Sequence, residues 1–262
     1  RSAFGDPDEA VAAEAIRIAI IADPGGLIPG LNQGVFDSME AFAAWCNDLG
    51  GINGRRLELE LIDAEILKYN EAVAQACESA FALVGSLGVQ DNLGTRTQLE
   101  CGLPNIPAAA VNPEQTGADL TFQALPNPPW VFKVSPGQWV AEEHPEAIDK
   151  AGMIYTNLPT TQMQADRQVE AYEQIGYTFV ATTAAALQET NWGPTVTDLK
   201  NRGVTYVSLS SSPEELVPLA KEMARQDFSP VVELEANFYA DKLPVQADGT
   251  ADGFYVRTQT WP

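Results

Sequence analysis

The chain has 262 residues, 36 acidic and 15 basic, which gives a formal net charge of −21. The acidic balance argues against nucleic acid and anionic membrane surfaces as partners, because both are bound through clustered Lys and Arg. The length suits one large domain or two of about 100–150 residues each. No apolar run approaches the roughly 20 residues that a membrane-spanning helix needs.

The first half of the chain alternates strands and helices after an acidic, Ala-rich tail over residues 1–15. Apolar runs predict strands over residues 16–22, 57–63, 81–85 and 106–110. Helices are predicted over 35–49, about 69–80 and about 92–101. The first carries an apolar stripe formed by Val35, Met39, Phe42, Cys46 and Leu49. This rhythm is typical of a parallel sheet with helices on both faces, and we expect the strand order 2-1-3-4.

This topology predicts which cysteines meet. Right-handed crossovers place the helix over 35–49 on one face of the sheet and the next two helices together on the other. Cys77 and Cys101 then lie on neighbouring helices, whereas Cys46 lies on the opposite face. We therefore predict a Cys77–Cys101 disulfide, which would imply an oxidising compartment. The alternative is three reduced, buried cysteines.

A Pro-rich stretch over residues 117–137 leads into a second α/β series. Its strands are predicted over 151–156, 178–182, 204–208, 230–234 and 253–257. Its helices are predicted over 161–176 and 192–202, and a third helix begins at a capping box made by Ser212 and Glu215. The sequence thus predicts a lobe over 16–130, a second lobe over 131–256 and a crossing segment over 257–262.

Motifs for catalysis and for cofactors are missing from the sequence. There is no GxGxxG after a strand, no P-loop lysine and no GxSxG nucleophile elbow. The single histidine, His144, stands in a polar stretch and is expected to be solvated. We predict no catalytic residue, no metal site and no cofactor, and therefore no enzyme.

Polar loops follow the predicted strands at their carboxyl ends, where open α/β sheets bind ligands. These loops cover residues 23–34, 86–93, 111–114, 157–162, 210–212 and 235–238. A cleft that two such lobes share would bury a small molecule on both sides. The alternative is that these polar residues only form loops and helix caps.

Five runs carry a family resemblance: IRIAIIADPGG, NDLGGINGR, LELELID, FALVGSLGVQDNLG and NIPAAAVNPE. They resemble the type I periplasmic binding proteins, specifically the branched-chain amino-acid type of solute-binding protein from bacterial ABC transporters. The resemblance covers nearly the whole chain. It implies an α/β fold of two Rossmann-like lobes with a hinge and an inter-lobe cleft. It also implies a small-molecule ligand, an ABC transporter permease as partner, and an extracytoplasmic location in the periplasm or as a cell-surface lipoprotein with an N-terminal lipid anchor.

The resemblance also implies a set of ligand-binding residues. Val89 and Val111 stand where the family carries hydroxyl side chains for a ligand carboxylate, and Glu235 stands where it often carries an acid for an ammonium group. A less polar or differently charged small molecule is therefore the alternative to an amino acid. The candidates are Leu27, Ser86, Val89, Gln90, Ala110, Val111 and Asn112 in the first lobe, and Thr160, Thr161, Ser210, Ser211 and Glu235 in the second.

Two further alternatives follow from the resemblance. The family continues past a run such as GFYVRTQTWP, so we expect the chain to be truncated at its C-terminus or its first lobe to be completed differently. The same fold also serves ligand-sensing ectodomains and regulatory binding cores. A neighbouring permease gene would favour transport over sensing.

Overall fold

The computed structural model describes residues 14–124, 131–239 and 242–258. These residues form two compact units, one on each side of the gap between residues 124 and 131. Parts of three predicted features lie outside the described residues. They are residues 1–13 of the acidic tail, residues 125–130 of the Pro-rich stretch and residues 259–262 of the crossing segment.

Unit 1 contains a four-stranded parallel sheet in the order β2-β1-β3-β4, which confirms the predicted order. Its strands are β1 (Ile16–Ala22), β2 (Leu57–Asp63), β3 (Ala82–Val84) and β4 (Asn105–Ile106). Its helices are α1 (Gln33–Asp48), α2 (Tyr69–Ser79), α3 (Thr95–Cys101) and α4 (Pro113–Thr116), and a 3-10 turn over Asp91–Gly94 leads into α3. β3 and β4 are shorter than predicted.

Strand β1 shows how the sequence assigns the two faces of this sheet. Ile18 and Ile20 pack with Phe36 of α1, whereas Ala19 and Ile21 pack in the cluster that includes α2. Successive side chains of a strand point to opposite faces, so α1 and α2 cover opposite sides. This is the arrangement expected from right-handed crossovers.

The face that α1 buries differs from the predicted stripe. Phe36, Ala43 and Cys46 are buried, whereas Phe42 and Leu49 are 43% and 40% exposed. The prediction was therefore wrong for Phe42 and Leu49. Apolar residues are frequent all around α1, so helical spacing fits more than one stripe and only the sheet beneath decides which one is buried.

The run from Asn47 to Arg55 closes the turn from α1 into β2. The Asn47 side chain bonds both backbone groups of Leu57: Oδ1 accepts from its N–H at 2.8 Å and Nδ2 donates to its carbonyl at 3.0 Å. Gly51 has a φ of +70°, and a Cβ atom there would lie 2.1 Å from the Arg55 carbonyl oxygen. Only glycine fits such a close approach, so this run fixes where β2 begins.

Unit 2 contains a five-stranded parallel sheet in the order β6-β5-β7-β8-β9. Its strands are β5 (Ala151–Thr156), β6 (Phe179–Ala185), β7 (Tyr206–Ser210), β8 (Val231–Leu234) and β9 (Tyr255–Val256). Its helices are α5 (Ser135–Glu143), α6 (Pro159–Glu173), α7 (Gly193–Asn201), α8 (Pro213–Arg225) and α9 (Lys242–Ala247), with 3-10 turns over Pro145–Lys150 and Ala236–Phe238. Two parallel sheets with flanking helices confirm the predicted α/β class.

Helix α5 was not predicted, and its end changes the interpretation of His144. The ring of His144 is half-buried, and its Nε2 lies 2.9 Å from the Tyr255 hydroxyl oxygen. Trp139 packs edge-on against the same ring. The expectation of a solvated histidine was therefore wrong, because the polar sequence around it gave no sign of the aromatic side chains that pack against it.

The cysteines follow the faces of the sheet in unit 1. Cys77 of α2 and Cys101 of α3 form a disulfide bond. Cys46 of α1 is a free, buried cysteine. The disulfide closes a loop with a sequence separation of 24 residues, which restricts the unfolded chain.

Denatured but unreduced protein should carry one thiol that reacts with an alkylating reagent, that of Cys46. A Cys46→Ala variant should carry none until it is reduced.

The variant Cys77→Ser/Cys101→Ser should lose about 3 kcal/mol of unfolding free energy, measured by urea denaturation, because its unfolded state is no longer cross-linked. Three reactive thiols in the unreduced wild type would contradict the disulfide.

Candidate functional site

In unit 1, the buried side chain of Asp23 joins three loops at the carboxyl edge of the sheet. Asp23 directly follows β1 and is fully buried. Its Oδ1 accepts from the Ile66 N–H and its Oδ2 from the Val89 N–H, both at 2.8 Å. Ile66 belongs to the loop after β2 and Val89 to the loop after β3. One carboxylate therefore sets the relative positions of the loops that follow β1, β2 and β3.

A second buried acid, Asp91, joins the loops after β3 and β4. Its Oδ2 accepts from the Val111 N–H at 2.6 Å, and its Oδ1 accepts from the Asn112 N–H at 3.0 Å and from Asn112 Nδ2 at 2.7 Å. Asn112 Nδ2 also donates to the Val89 carbonyl at 3.0 Å. Tyr69 packs beneath these loops, where a Cβ atom on Gly88 would come within 2.2 Å of its ring.

The protonation of both acids is governed by burial. Burial raises the pKa of Asp23 above its ordinary value, against the opposing effect of the N–H groups of Val89 and Ile66. Burial likewise raises the pKa of Asp91 to about 6, although the amides of Val111 and Asn112 favour its charged form. The hydrogen bonds that hold these two carboxylates in place are charge-assisted bonds from amide N–H groups.

Four of the seven candidate residues of unit 1 are near Asp91 in the sequence or donate hydrogen bonds to it, and the other three are Ser86, Ala110 and Leu27. Val89, Gln90, Val111 and Asn112 lie in the two loops that Asp91 joins. Ser86 is buried, and its hydroxyl accepts from the Ile21 N–H at 3.0 Å, so it ties its loop to β1. Ala110 is fully buried, whereas Leu27 is 41% exposed.

In unit 2, Glu215 of α8 joins the loops at the carboxyl edge. Its Oε2 accepts from the Ser212 N–H and the Thr156 hydroxyl, both at 3.1 Å. Its Oε1 accepts from the Glu189 N–H at 3.0 Å. The predicted capping box is present. In addition, the same carboxylate holds the last residue of β5 and residues that follow β6 and β7.

A second polar cluster in unit 2 surrounds Arg257. Its Nη1 lies 2.9 Å from Glu233 Oε1 and its Nη2 lies 2.9 Å from Glu235 Oε1. The hydroxyls of Tyr172 and Tyr206 donate to the two oxygens of Glu233 at 2.8 and 2.9 Å. Burial acts against the charge of Arg257, but Glu235 and Glu233 raise its pKa above the ordinary value. Glu235 was expected to pair with an ammonium group of the ligand, but it already forms an ion pair with Arg257 of the same unit.

The other candidates of unit 2 serve the local structure. The Thr161 hydroxyl donates to the Thr156 carbonyl and, at 3.0 Å, to the Leu158 carbonyl, at the start of α6. Thr160, Ser210 and Ser211 are buried. The Ser211 carbonyl accepts from Asn237 Nδ2 at 2.9 Å, which ties the loop after β7 to the turn after β8.

The sequence did not single out Asp23, Asp91, Glu233 or Arg257 as site residues. Each acid follows or lies within an apolar strand or a Gly-rich loop, and its partners are 20 or more residues away. Among residues 14–124, 131–239 and 242–258, no group of three or more His, Cys, Asp or Glu side chains is placed to hold a metal ion. Within the same ranges, no helix has the length and apolar character needed to cross a membrane.

Comparison with known families and structures gives one match that spans the chain. The model of the periplasmic binding protein family matches residues 15–262. None of the curated proteins compared with the chain matches it.

Solved structures share the fold at low sequence identity. The substrate-binding protein of a fatty acid ABC transporter from Thermomonospora curvata has a TM-score of 0.80 and 18% identity, over 97% of this chain and 65% of its own. A branched-chain amino acid transporter substrate-binding protein from Streptococcus pneumoniae, in complex with isoleucine, has a TM-score of 0.79 and 16% identity, over 94% of this chain and 72% of its own. The leucine-binding protein LivK from Thermotoga maritima has a TM-score of 0.79 and 14% identity, over 95% of this chain and 71% of its own.

These likenesses establish the fold alone. The chain spans 65% of the length of the Thermomonospora protein and 72% of the Streptococcus protein.

The Asp91 pKa predicts how stability depends on pH. Because the pKa is about 6 in the folded state and 3.8 ordinarily, folding takes up a proton at pH values that lie in this range. The stability that Asp91 contributes is thus fully present below pH 3.8 and is lost as the pH rises through about 6. The unfolding free energy of wild type minus that of Asp91→Asn should grow by at most about 3 kcal/mol as the pH falls from 7 to 4, measured by urea denaturation. A difference that shrinks over this range would contradict the assignment.

Glu215→Ala should lower the unfolding free energy by about 2–4 kcal/mol, since it leaves two N–H groups and one hydroxyl without their acceptor. The matched control is Glu214→Ala, because Glu214 is the preceding residue, carries the same charge and is exposed. It should change stability by less than about 1 kcal/mol, the size of a helix-dipole effect. Equal losses in the two variants would mean that the contacts of Glu215 do not hold the loops.

Proposed function

Because the chain belongs to the periplasmic binding protein family, we propose that it is an extracytoplasmic solute-binding protein that delivers a small molecule to an ABC importer. The observation that carries the proposal is the family match over residues 15–262. The neighbours in structure that are named for ABC transporters support it through their fold. The family is one of binding proteins, and we assign no catalytic step to the chain.

The ligand class that we propose is an amino acid or a related small carboxylate or amide. One structural neighbour was solved with isoleucine and another is named for fatty acid transport, so cargo differs among proteins of this fold. In this chain, the ligand would contact the loops at the carboxyl edges, where open α/β sheets bind small molecules. The polar candidates there are Ser86, Gln90 and Asn112 in unit 1 and Thr160, Thr161, Ser210, Ser211 and Glu235 in unit 2.

The proposed location is outside the cytoplasm. The Cys77–Cys101 disulfide supports it, because such bonds persist in oxidising compartments and are rare in the cytosol. The net charge of −21 suits an exported protein that must stay soluble and unaggregated.

A thermal-shift screen tests the function directly. Amino acids, small carboxylates, small amides and aromatic acids should include a compound that raises the melting temperature, because a ligand that binds the native state stabilises it by about 2.7 kcal/mol at a hundred times its Kd. Isothermal titration should then give one ligand per chain. If no compound in these classes shifts the melting temperature or gives heat on titration, the solute-binding proposal fails.

A further inference from the structure

The backbone N–H groups at the carboxyl edge of unit 1 already have carboxylate partners. The amide of Val89 donates to Asp23 at 2.8 Å. The amides of Val111 and Asn112 donate to Asp91 at 2.6 and 3.0 Å. These three amides belong to the loops after β3 and β4. Two side chains of the protein thus take the positions at these amides that an anionic ligand group would otherwise take.

Other groups at this edge do not replace those donors. A carboxylate is bound strongly where N–H, hydroxyl or cationic groups point at it. Val89 and Val111 carry no hydroxyl, and the Ser86 hydroxyl lies in the interior against the Ile21 amide. The side chains of Val89 and Val111 are half-buried, and Leu27 is 41% exposed. Val89, Val111 and Leu27 therefore offer apolar surface in these loops.

The charge at this edge also disfavours an anion. Asp63 ends β2 and Glu65 follows it, and the negative charge of Asp63 contributes to the raised pKa of Asp23. Lys68 is the basic residue in the loops over 23–32, 64–68, 85–94 and 107–112, and its Nζ lies 2.7 Å from Glu65 Oε2. A ligand carboxylate would meet like charges here, and like charges disfavour the ionised form of each other.

We propose that unit 1 binds an uncharged part of the ligand, such as an amide or an apolar group, and that Asp91 excludes carboxylates from this position. The inference rests on the proposed function and narrows its ligand class from carboxylates to amides and other uncharged molecules. Asp91 acts as a specificity-determining residue, because its carboxylate occupies the donors that a ligand carboxylate would need.

The test compares ligands that differ only in charge. Isobutyramide with isobutyrate, isovaleramide with isovalerate, and benzamide with benzoate are titrated into the wild type at pH 7.5 by calorimetry, with isoleucine as a reference. We expect the amide of at least one pair to bind at least about tenfold more tightly than its carboxylate. A carboxylate that binds as tightly as its amide, or more tightly, would overturn the inference and leave the solute-binding function standing. If no probe binds although the thermal-shift screen has found another ligand, the inference fails and the solute-binding function stands. If neither experiment finds a ligand, both fail.

Two variants separate the hydrogen bonds of Asp91 from its charge. Asp91→Ser removes the carboxylate and releases the amides of Val111 and Asn112 from it, so the preference for the amide should fall by at least about tenfold. Glu114→Ser removes one negative charge from an exposed position at the same edge and leaves those amides engaged. It should keep the wild-type preference. Equal changes in both variants would show that general charge, and not Asp91, sets the selectivity.

The Asp91→Ser protein is first checked for native circular dichroism and a cooperative melt. If it does not fold, the wild-type pairs still decide the inference, and Asp91→Asn replaces it as the variant. Asparagine keeps an acceptor oxygen and removes the charge, so the preference of Asp91→Asn for the amide should be weaker than that of the wild type. A preference in Asp91→Asn that exceeds the wild-type value would overturn the inference.

Discussion

The arrangement of the functional loops depends on one kind of interaction, a buried carboxylate that accepts hydrogen bonds from backbone N–H groups of several loops. Loops at the carboxyl ends of parallel strands have no ladder of their own, and their N–H groups must find partners when they are buried. Asp23 supplies such a partner to two loops and Asp91 to a third. Asp23 directly follows β1 and Asp91 lies in the 3-10 turn before α3, so both acids join the loops to one another and Asp23 also joins them to the sheet.

The two units reach this result from different parts of the sequence. In unit 1, the acids lie at the end of a strand and in a loop, and both are buried without a cation among the contacts described. In unit 2, Glu215 lies in the first turn of α8, where the positive end of the helix dipole favours an acid. Glu215 thus combines a helix cap with the attachment of Thr156 and Glu189. A local capping motif becomes a tertiary contact because the neighbouring strands end beside it.

The sequence predicted the elements whose signals are local. The order of β1 to β4 and the capping box at Ser212 follow from spacing or from the handedness of crossovers. It failed where the deciding partner is distant. Phe42 is exposed because the sheet selects another face of α1, and Asp91 finds its partners 20 and 21 residues away in backbone amides, which carry no side-chain signature. Arg257 lies 22 residues after Glu235, so no local sequence pattern predicted their ion pair.

These distant contacts bear on the ligand that we propose, because a zwitterionic amino acid carries two charged groups. Such a ligand needs donors for its carboxylate and an acceptor for its ammonium group. The donors in the loops after β3 and β4 are bonded to Asp91 and Asp23. The expected acceptor, Glu235, lies 2.9 Å from the guanidinium of Arg257, which a ligand ammonium would have to displace from a cluster that Glu233 also holds. The side chains of Arg257 and Glu235 are only 15% and 29% exposed, so separating them would leave a poorly solvated charge. In each unit by itself, a charged group of the proposed ligand would therefore meet groups that are already paired, whereas an uncharged group requires no pair to break.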